Sequence, residues 1–251
     1  MNPTNSHKGM VLGAALWVMS ALMAFGAGPS VSREGVALVV LYDTSGSMRE
    51  TVRDRNGQES PKYVIANRAL EKILDRLETY SKAAPEGAPR KIDAGLIVFN
   101  KGKGYFAVPF GDFKPQPFRD WIGHYKGPDG NTPLGNSLTL AAQTLIRSPL
   151  TRKHILVITD GMNTIGPNPE AVLPKLKAEA ERANTAFQTH LIAFDVAAAV
   201  FNPLKKQGAT VVSASDEVQL EAQLTYIFEK KILLEDEEPP AKAAPKPTTT
   251  N

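Results

Sequence analysis

Short apolar runs alternate along this chain with stretches in which apolar residues recur every three or four positions. The run Ala37–Tyr42 (ALVVLY) has no polar alternation, as suits a strand buried on both faces of a parallel sheet. It stops at Asp43. After a charged stretch, Ser60 and Pro61 supply a helix N-cap and a first helical residue. Tyr63, Ala66, Leu70, Ile73, Leu74 and Leu77 then follow at helical spacing. Asp93–Phe99 reads as a second strand and Tyr105–Phe110 as a third. The link between them is so short that they form a hairpin, which makes the third strand antiparallel. A Pro/Gly-rich region, Gly111–Pro133, holds a short helical piece at Phe118–Tyr125. Leu134, Leu138, Ala141 and Leu145 mark the next helix.

His154–Thr159 (HILVIT) is another buried strand and stops at Asp160. The following helix is expected to start near Pro174, because an interior proline breaks a helix. Strands at Thr189–Phe194 and Ala209–Ala214 and a helix over Asp216–Lys230 complete the pattern. The alternation predicts an α/β fold of the Rossmann-like, doubly wound type: a mostly parallel sheet with one antiparallel edge strand and helices on both faces. In such sheets ligands sit beyond the carboxyl ends of strands, where strand order reverses. Asp43 and Asp160 both occupy such ends.

Composition narrows the chemistry. The 251 residues carry a net charge of +3, with basic and acidic residues interspersed. There is no basic stripe with interleaved aromatics, so nucleic acid is not an expected partner. The absence of cysteine excludes disulfides, thiolate metal sites and cysteine nucleophiles. Residues 1–28 read as a signal peptide: a small positive segment at His7–Gly9, an apolar run at Met10–Ala27, then small residues allowing cleavage after Gly26 or Gly28. The competing reading is an N-terminal membrane anchor, since the run approaches the ~18–20 residues that span a bilayer. Residues 36–230 form the folded domain, and 235–251 an acidic, proline-rich disordered tail. Either N-terminal reading exports the domain.

Three chemistries use strand-end loops like Asp43-Thr-Ser-Gly-Ser47. Phosphate cradling lacks its glycines: only Gly46 follows the first strand, and no GxxxxGK[ST] is present. A serine nucleophile needs a base within reach. His154 and His190 begin strands at the opposite sheet edge and read as structural, which leaves His124. An aspartyl-phosphate enzyme of the haloacid-dehalogenase kind would place a second carboxylate where Ser45 stands. Metal binding fits best: two hydroxyls and a carboxylate make a hard-cation site for Mg2+, with Mn2+ or Ca2+ as alternatives.

DTSGS at a first strand end, GNTPLG opening a middle helix and ITDG at a later strand end together resemble the von Willebrand factor A family and its metal-ion-dependent adhesion site. The resemblance covers Val36–Lys230. It implies metal positions at Asp43, Ser45, Ser47, Thr132 and Asp160, with the serines coordinating directly and the aspartates acting mainly through waters and hydrogen bonds. It also implies a protein partner whose Asp or Glu carboxylate completes the metal's coordination. The departures are the insert Arg49–Glu59 and the region Asp112–Asn131, both bordering the site. Trp121, His124 and Tyr125 read either as core or as a recognition surface. Arg49, Arg53 and Arg55 read as a solvated loop or as attraction for an acidic partner. Met48 and Met162 line the rim or pack beneath it.

The reading is therefore a periplasmic or otherwise exported, non-enzymatic protein that engages a protein partner through a divalent cation. Assembly or maturation of other exported proteins is the role the bacterial members of the family suggest. The alternatives are a metal-dependent hydrolase using a Mg2+-bound water and a structural component whose metal site is silent. Membrane contact is expected only through the N-terminal segment if it stays uncleaved. The mature chain should begin at Ala27 or Pro29, which intact-mass measurement of protein from the extracytoplasmic fraction checks; a mass retaining Met10–Ala27 establishes the anchor instead.

Overall fold

The computed structural model describes residues 32–83, 90–100 and 102–233; the expected signal segment and acidic tail lie outside the described residues. Among the described residues, eight strands and six α-helices run in the order β1 (Arg33–Tyr42), β2 (Thr51–Arg53), β3 (Glu59–Pro61), α1 (Lys62–Lys82), β4 (Ile92–Asn100), β5 (Lys103–Asp112), α2 (Pro115–His124), α3 (Leu134–Arg147), β6 (Leu150–Thr159), α4 (Pro169–Arg182), β7 (Gln188–Phe194), α5 (Asn202–Lys206), β8 (Thr210–Ala214) and α6 (Glu217–Ile227).

Six strands form one sheet in the order β5-β4-β1-β6-β7-β8. All neighbours pair in parallel except β4 and β5. The non-alternating apolar run of β1 follows from its central place. Val36, Leu38, Val40 and Tyr42 enter one core with α1, α2 and α6. Ala37, Val39 and Leu41 enter the other with α3, α4 and α5. From β1 the chain crosses to β4 on one side; from β6 it crosses to β7 on the other. The reversal opens a crevice at the carboxyl ends of β1 and β6, where Asp43 and Asp160 stand.

Two boundary expectations are corrected. Ser60 does not cap α1. Thr51–Arg53 and Glu59–Pro61 pair as a small antiparallel ribbon, which keeps Ser60 extended, and its hydroxyl donates to Asp54 Oδ2 at 3.2 Å. Pro61 holds the cap position, and the Lys62 amide donates to the Glu50 carbonyl at 2.8 Å. Likewise α4 starts at Pro169, not near Pro174, which lies inside the helix. Pro174 has no N–H for the Glu170 carbonyl one turn back. That carbonyl instead accepts a hydrogen bond from Gln207 Nε2 at 2.8 Å, so a side chain from after α5 repairs the break.

The insert around Arg49–Glu59 is not a solvated loop throughout. Arg55 at the tip of the ribbon pairs with Glu217, at 2.9 Å, and with Glu221 on α6. Arg68 of α1 reaches the same Glu217 at 2.7 Å. Burial would raise the Glu217 pKa, but the bonds from Arg68 and Arg55 hold it down at about 2. Arg55 is thus committed within the fold.

The antiparallel pair β4–β5 is irregular, with register shifts around Leu96. Gly95 explains one of them. A Cβ there would stand 2.9 Å from the Phe110 Cα and 2.9 Å from the Phe106 ring, closer than packed carbons approach. Gly95→Ala should destabilise the protein by about 1–3 kcal/mol through overpacking. Urea denaturation measures it, and an unchanged midpoint would show that β5 yields freely.

Candidate metal centre

Asp43 follows β1 directly and is fully buried. Its amide continues the ladder by donating to the Ile158 carbonyl at 3.0 Å. Its Oδ1 accepts from the Ser45 amide at 2.8 Å, and its Oδ2 from the Thr159 hydroxyl at 2.5 Å. The aspartate therefore folds its own loop into an Asx turn and is fixed by the neighbouring strand. Thr44 pins the same loop to β4: its hydroxyl donates to the Phe99 carbonyl and accepts from the Phe99 amide, at 2.8 and 2.9 Å. A single 3₁₀ turn, Gly46–Arg49, follows. It buries Met48 completely, which puts Met48 beneath the site. Met162 is 63% exposed and stands outside it.

The turn brings the hydroxyls together. Ser45 Oγ lies 3.1 Å from Ser47 Oγ, and Ser47 Oγ donates to Asp160 Oδ1 at 2.8 Å. These contacts test the site against a small hard cation. Adjacent ligands of an octahedral ion bound at 2.0–2.1 Å lie about 3 Å apart. Ser47 Oγ stands at such a separation from both Ser45 Oγ and Asp160 Oδ1, and the donor set suits Mg2+ chemistry better than that of softer metals. Among the described residues no cluster of three or more His, Cys, Asp or Glu could hold a metal.

Thr132 sits on the loop before α3, buried. Backbone bonds lace its loop to both others. The Gly46 amide donates to the Gly130 carbonyl at 3.1 Å and the Asp129 amide to the Thr44 carbonyl at 2.8 Å. Thr132 and Thr164 exchange two bonds: the Thr132 amide to Thr164 Oγ1 at 2.8 Å, and the Thr164 amide to the Thr132 carbonyl at 3.0 Å. The Gly135 amide, at the start of α3, donates to Asn163 Oδ1 at 3.2 Å. Gly135 has no room for a side chain, since a Cβ would meet the Pro167 carbonyl at 1.9 Å. The structure thus brings Ser45, Ser47 and Asp160 into direct contact, joins Asp43 to them through the Ser45 amide, and ties the Thr132 loop to both of theirs.

Sequence reasoning missed Lys62. Its side chain is 3% exposed, and its ammonium lies 3.1 Å from Asp160 Oδ2, 2.8 Å from Glu50 Oε2 and 3.0 Å from Asp195 Oδ2. The signal was available: helical spacing sets Lys62 on the same stripe as Ala66 and Leu70, and a lysine on a buried stripe must be paired. Burial would lower its pKa, but the hydrogen bonds it donates to Glu50 and Asp195 and the charge of Asp160 raise it.

The aromatic trio resolves mainly as packing. Trp121 meets the Tyr42 ring edge-on with centroids 5.4 Å apart and stacks on Tyr125 at 4.8 Å; only His124 is exposed. Among the described residues no histidine hydrogen-bonds Ser45 or Ser47. His154 and His190 lie buried against one another, with Nδ1 and Nε2 3.2 Å apart. Burial lowers both, to about 3 and about 4.

Comparison with known proteins bears on the family and the fold. The von Willebrand factor type A domain family model matches residues 37–221. No curated protein matches the sequence. Among solved structures, the fold is similar to the PilB minor pilin from Streptococcus sanguinis, with 16% identity, a TM-score of 0.55, and 79% of this chain and 61% of the pilin covered. The chain thus spans about three fifths of that protein. It is also similar to the vWF domain of the type V pili tip protein Mfa5 from Porphyromonas gingivalis, with 14% identity, a TM-score of 0.57, and coverage of 78% and 94%. A third is proximal thread matrix protein 1 from the mussel byssus, solved with a zinc-occupied MIDAS motif: 16% identity, TM-score 0.57, coverage of 78% and 48%.

The site's electrostatics give a pH signature. Burial, chiefly, raises Asp43 from 3.8 to about 6, against the bonds from Ser45 and Thr159, and Asp160 adds to the rise. Between those values the folded state holds the proton that the unfolded state has lost, so this group's contribution to stability falls as pH rises. The histidine pair acts in the opposite sense, being held neutral when folded, so the informative quantity is a difference between proteins. In EDTA, Asp43→Asn should gain on wild type by about 2–3 kcal/mol between pH 4 and pH 7. Urea denaturation at both pH values checks it; a gap that does not change with pH contradicts the assignment.

Proposed function

The chain belongs to the von Willebrand factor type A domain family, and we propose that it binds a divalent cation, Mg2+ in the first instance, to engage a protein partner outside the cytoplasm. The observation that carries this reading is the placement of Ser47 Oγ 3.1 Å from Ser45 Oγ and 2.8 Å from Asp160 Oδ1, at the crevice beyond the carboxyl ends of β1 and β6.

Asp43, Ser45, Ser47, Thr132 and Asp160 are the residues that would hold the ion. When bound, the cation supplies a Lewis-acidic position for an oxygen from outside, which an Asp or Glu of the partner fills. The chain's own residues set that position up. Asp43 is turned inward by Thr159 and the Ser45 amide, so it shapes the loop and supplies charge. The two serines are neutral, which leaves a doubly charged ion under-neutralised and receptive to an anionic ligand. Thr132 belongs to a different loop and reports how far the loops close.

Non-enzymatic use fits the same geometry. The two serine hydroxyls contact each other, and Ser47 donates to the Asp160 carboxylate, and the structural relatives named above are pilus and byssus proteins. Export is supported by the apolar run Met10–Ala27 and by the pilus proteins among the structural relatives. Among the described residues no helix is long and apolar enough to cross a membrane.

Calorimetric titration with Mg2+ tests the site: Asp43→Ala should weaken binding roughly 10–100-fold. Thr132→Ala should keep measurable metal binding yet lose more of the partner. That is read by quantifying proteins captured from the extracytoplasmic fraction on wild type and variant, in saturating Mg2+ and in EDTA. Capture that is equal on both and unaffected by EDTA would leave the metal as a structural feature.

A further inference from the structure

Lys62 belongs to no metal motif, yet it touches two of the loops that build the site and a third beside them. Glu50 ends the 3₁₀ turn that carries Ser47. Asp160 ends β6. Asp195 ends β7, and it takes the left-handed backbone conformation, φ 55°, that non-glycine residues seldom adopt. Its amide donates to the Ala214 carbonyl at 2.7 Å, and its carboxylate meets the ammonium at 3.0 Å. A strained residue aimed at a buried lysine points to a contact that the surrounding structure holds in place.

The three carboxylates divide the three donors of one ammonium. Asp160 is divided too: Oδ1 accepts from Ser47, and Oδ2 faces Lys62. The ammonium thereby holds the orientation of the Asp160 carboxylate, one oxygen toward Ser47 and the other toward itself. It also brings a positive charge to the site from within the fold, beside two buried aspartates that otherwise repel one another.

Resting on the metal-site reading above, we propose that Lys62 is a positioning residue, a resident cation that holds the loops of residues 43–50, 160–166 and 195 closed and Asp160 oriented before a metal arrives. The metal then enters a site already assembled, and its charge takes over part of the work of the ammonium. A lysine serving only to fill core volume would not produce this exchange of roles.

Hydrogen exchange followed at the amides of Met48, Glu50 and Asp195, which bond to Ser45, Ser47 and Ala214, reads loop closure without any activity assay. In EDTA, Lys62→Met should exchange at these amides roughly tenfold faster or more, as a local opening made easier by a lost buried ion pair, while amides in α3 and α4 stay as in wild type. Saturating Mg2+ should restore protection in the variant. The chain has no cysteine, so Lys62→Cys can be alkylated with 2-bromoethylamine while unfolded and then refolded. The resulting aminoethyl side chain returns an ammonium at nearly the same reach and should return protection in EDTA. Should Lys62→Met fold poorly, Asp195→Asn removes one partner only and should loosen the Asp195 amide selectively.

Protection in EDTA that is unchanged in Lys62→Met overturns the proposal. So does lost protection that Mg2+ fails to restore while calorimetry shows the variant still binding the ion, and so does failure of the aminoethyl side chain to rescue. The absence of Mg2+ binding by the wild type is a separate result: it overturns the metal reading, and the clasp of three loops is then decided by the EDTA comparison and the aminoethyl rescue alone.

Discussion

Two like charges at the ends of adjacent parallel strands set the terms for the rest of the structure. β1 and β6 pair in register up to Tyr42 and Ile158, so Asp43, next after Tyr42, and Asp160, two residues beyond Ile158, come to share one crevice. Each is nearly or wholly buried. Burying carboxylates without compensation is costly, and the surrounding groups read as the compensation. Thr159 and the Ser45 amide hold Asp43. Ser47 and Lys62 hold Asp160. The 3₁₀ turn after β1 exists in the form it does because Asp43 bends its own chain back, and that bend is what presents Ser45 and Ser47 on the same side.

How much of this was legible in the sequence depended on the range of the interaction. The doubly wound sheet was legible because each strand carries its own evidence: a run such as ALVVLY without alternation needs cover on both faces, wherever that cover comes from. The five candidate positions could be proposed from the sequence because DxSxS, the separate threonine and the separate aspartate resemble the family motif and each sit at an element boundary. Pro174 was misread because the rule against interior proline assumes that the orphaned carbonyl stays orphaned. Gln207, from after another helix, supplies the missing donor, and no local window shows that. Ser60 was misread for a related reason. It has the chemistry of a cap, but pairing of 59–61 with 51–53 took its backbone first. Lys62 lay between: its stripe position announced a buried charge, while its three partners come from loops distant in sequence.

The insert that departs from the family pattern also acquires a physical role. It folds as a ribbon whose start joins Glu50 and whose tip reaches Glu217 through Arg55. Glu217 opens α6, where a carboxylate also complements the helix dipole. The residues between the adhesion motif and α1 therefore cover the side of the domain instead of hanging from it, and they leave the crevice side to the loops that carry Thr132 and Met162.

The sheet's two borders bear on how copies of this domain can associate. An open border invites another chain to add a strand. Here β5 carries Pro109, exposed, beside shifted register, and a proline cannot donate to an added strand. At the opposite border β8 is only five residues long. Neither border offers a long, regular row of backbone donors and acceptors. A polymer or complex containing this domain would have to grow through side chains at its strand-end loops or helical faces. Contacts of that kind lie where they can follow the state of the site.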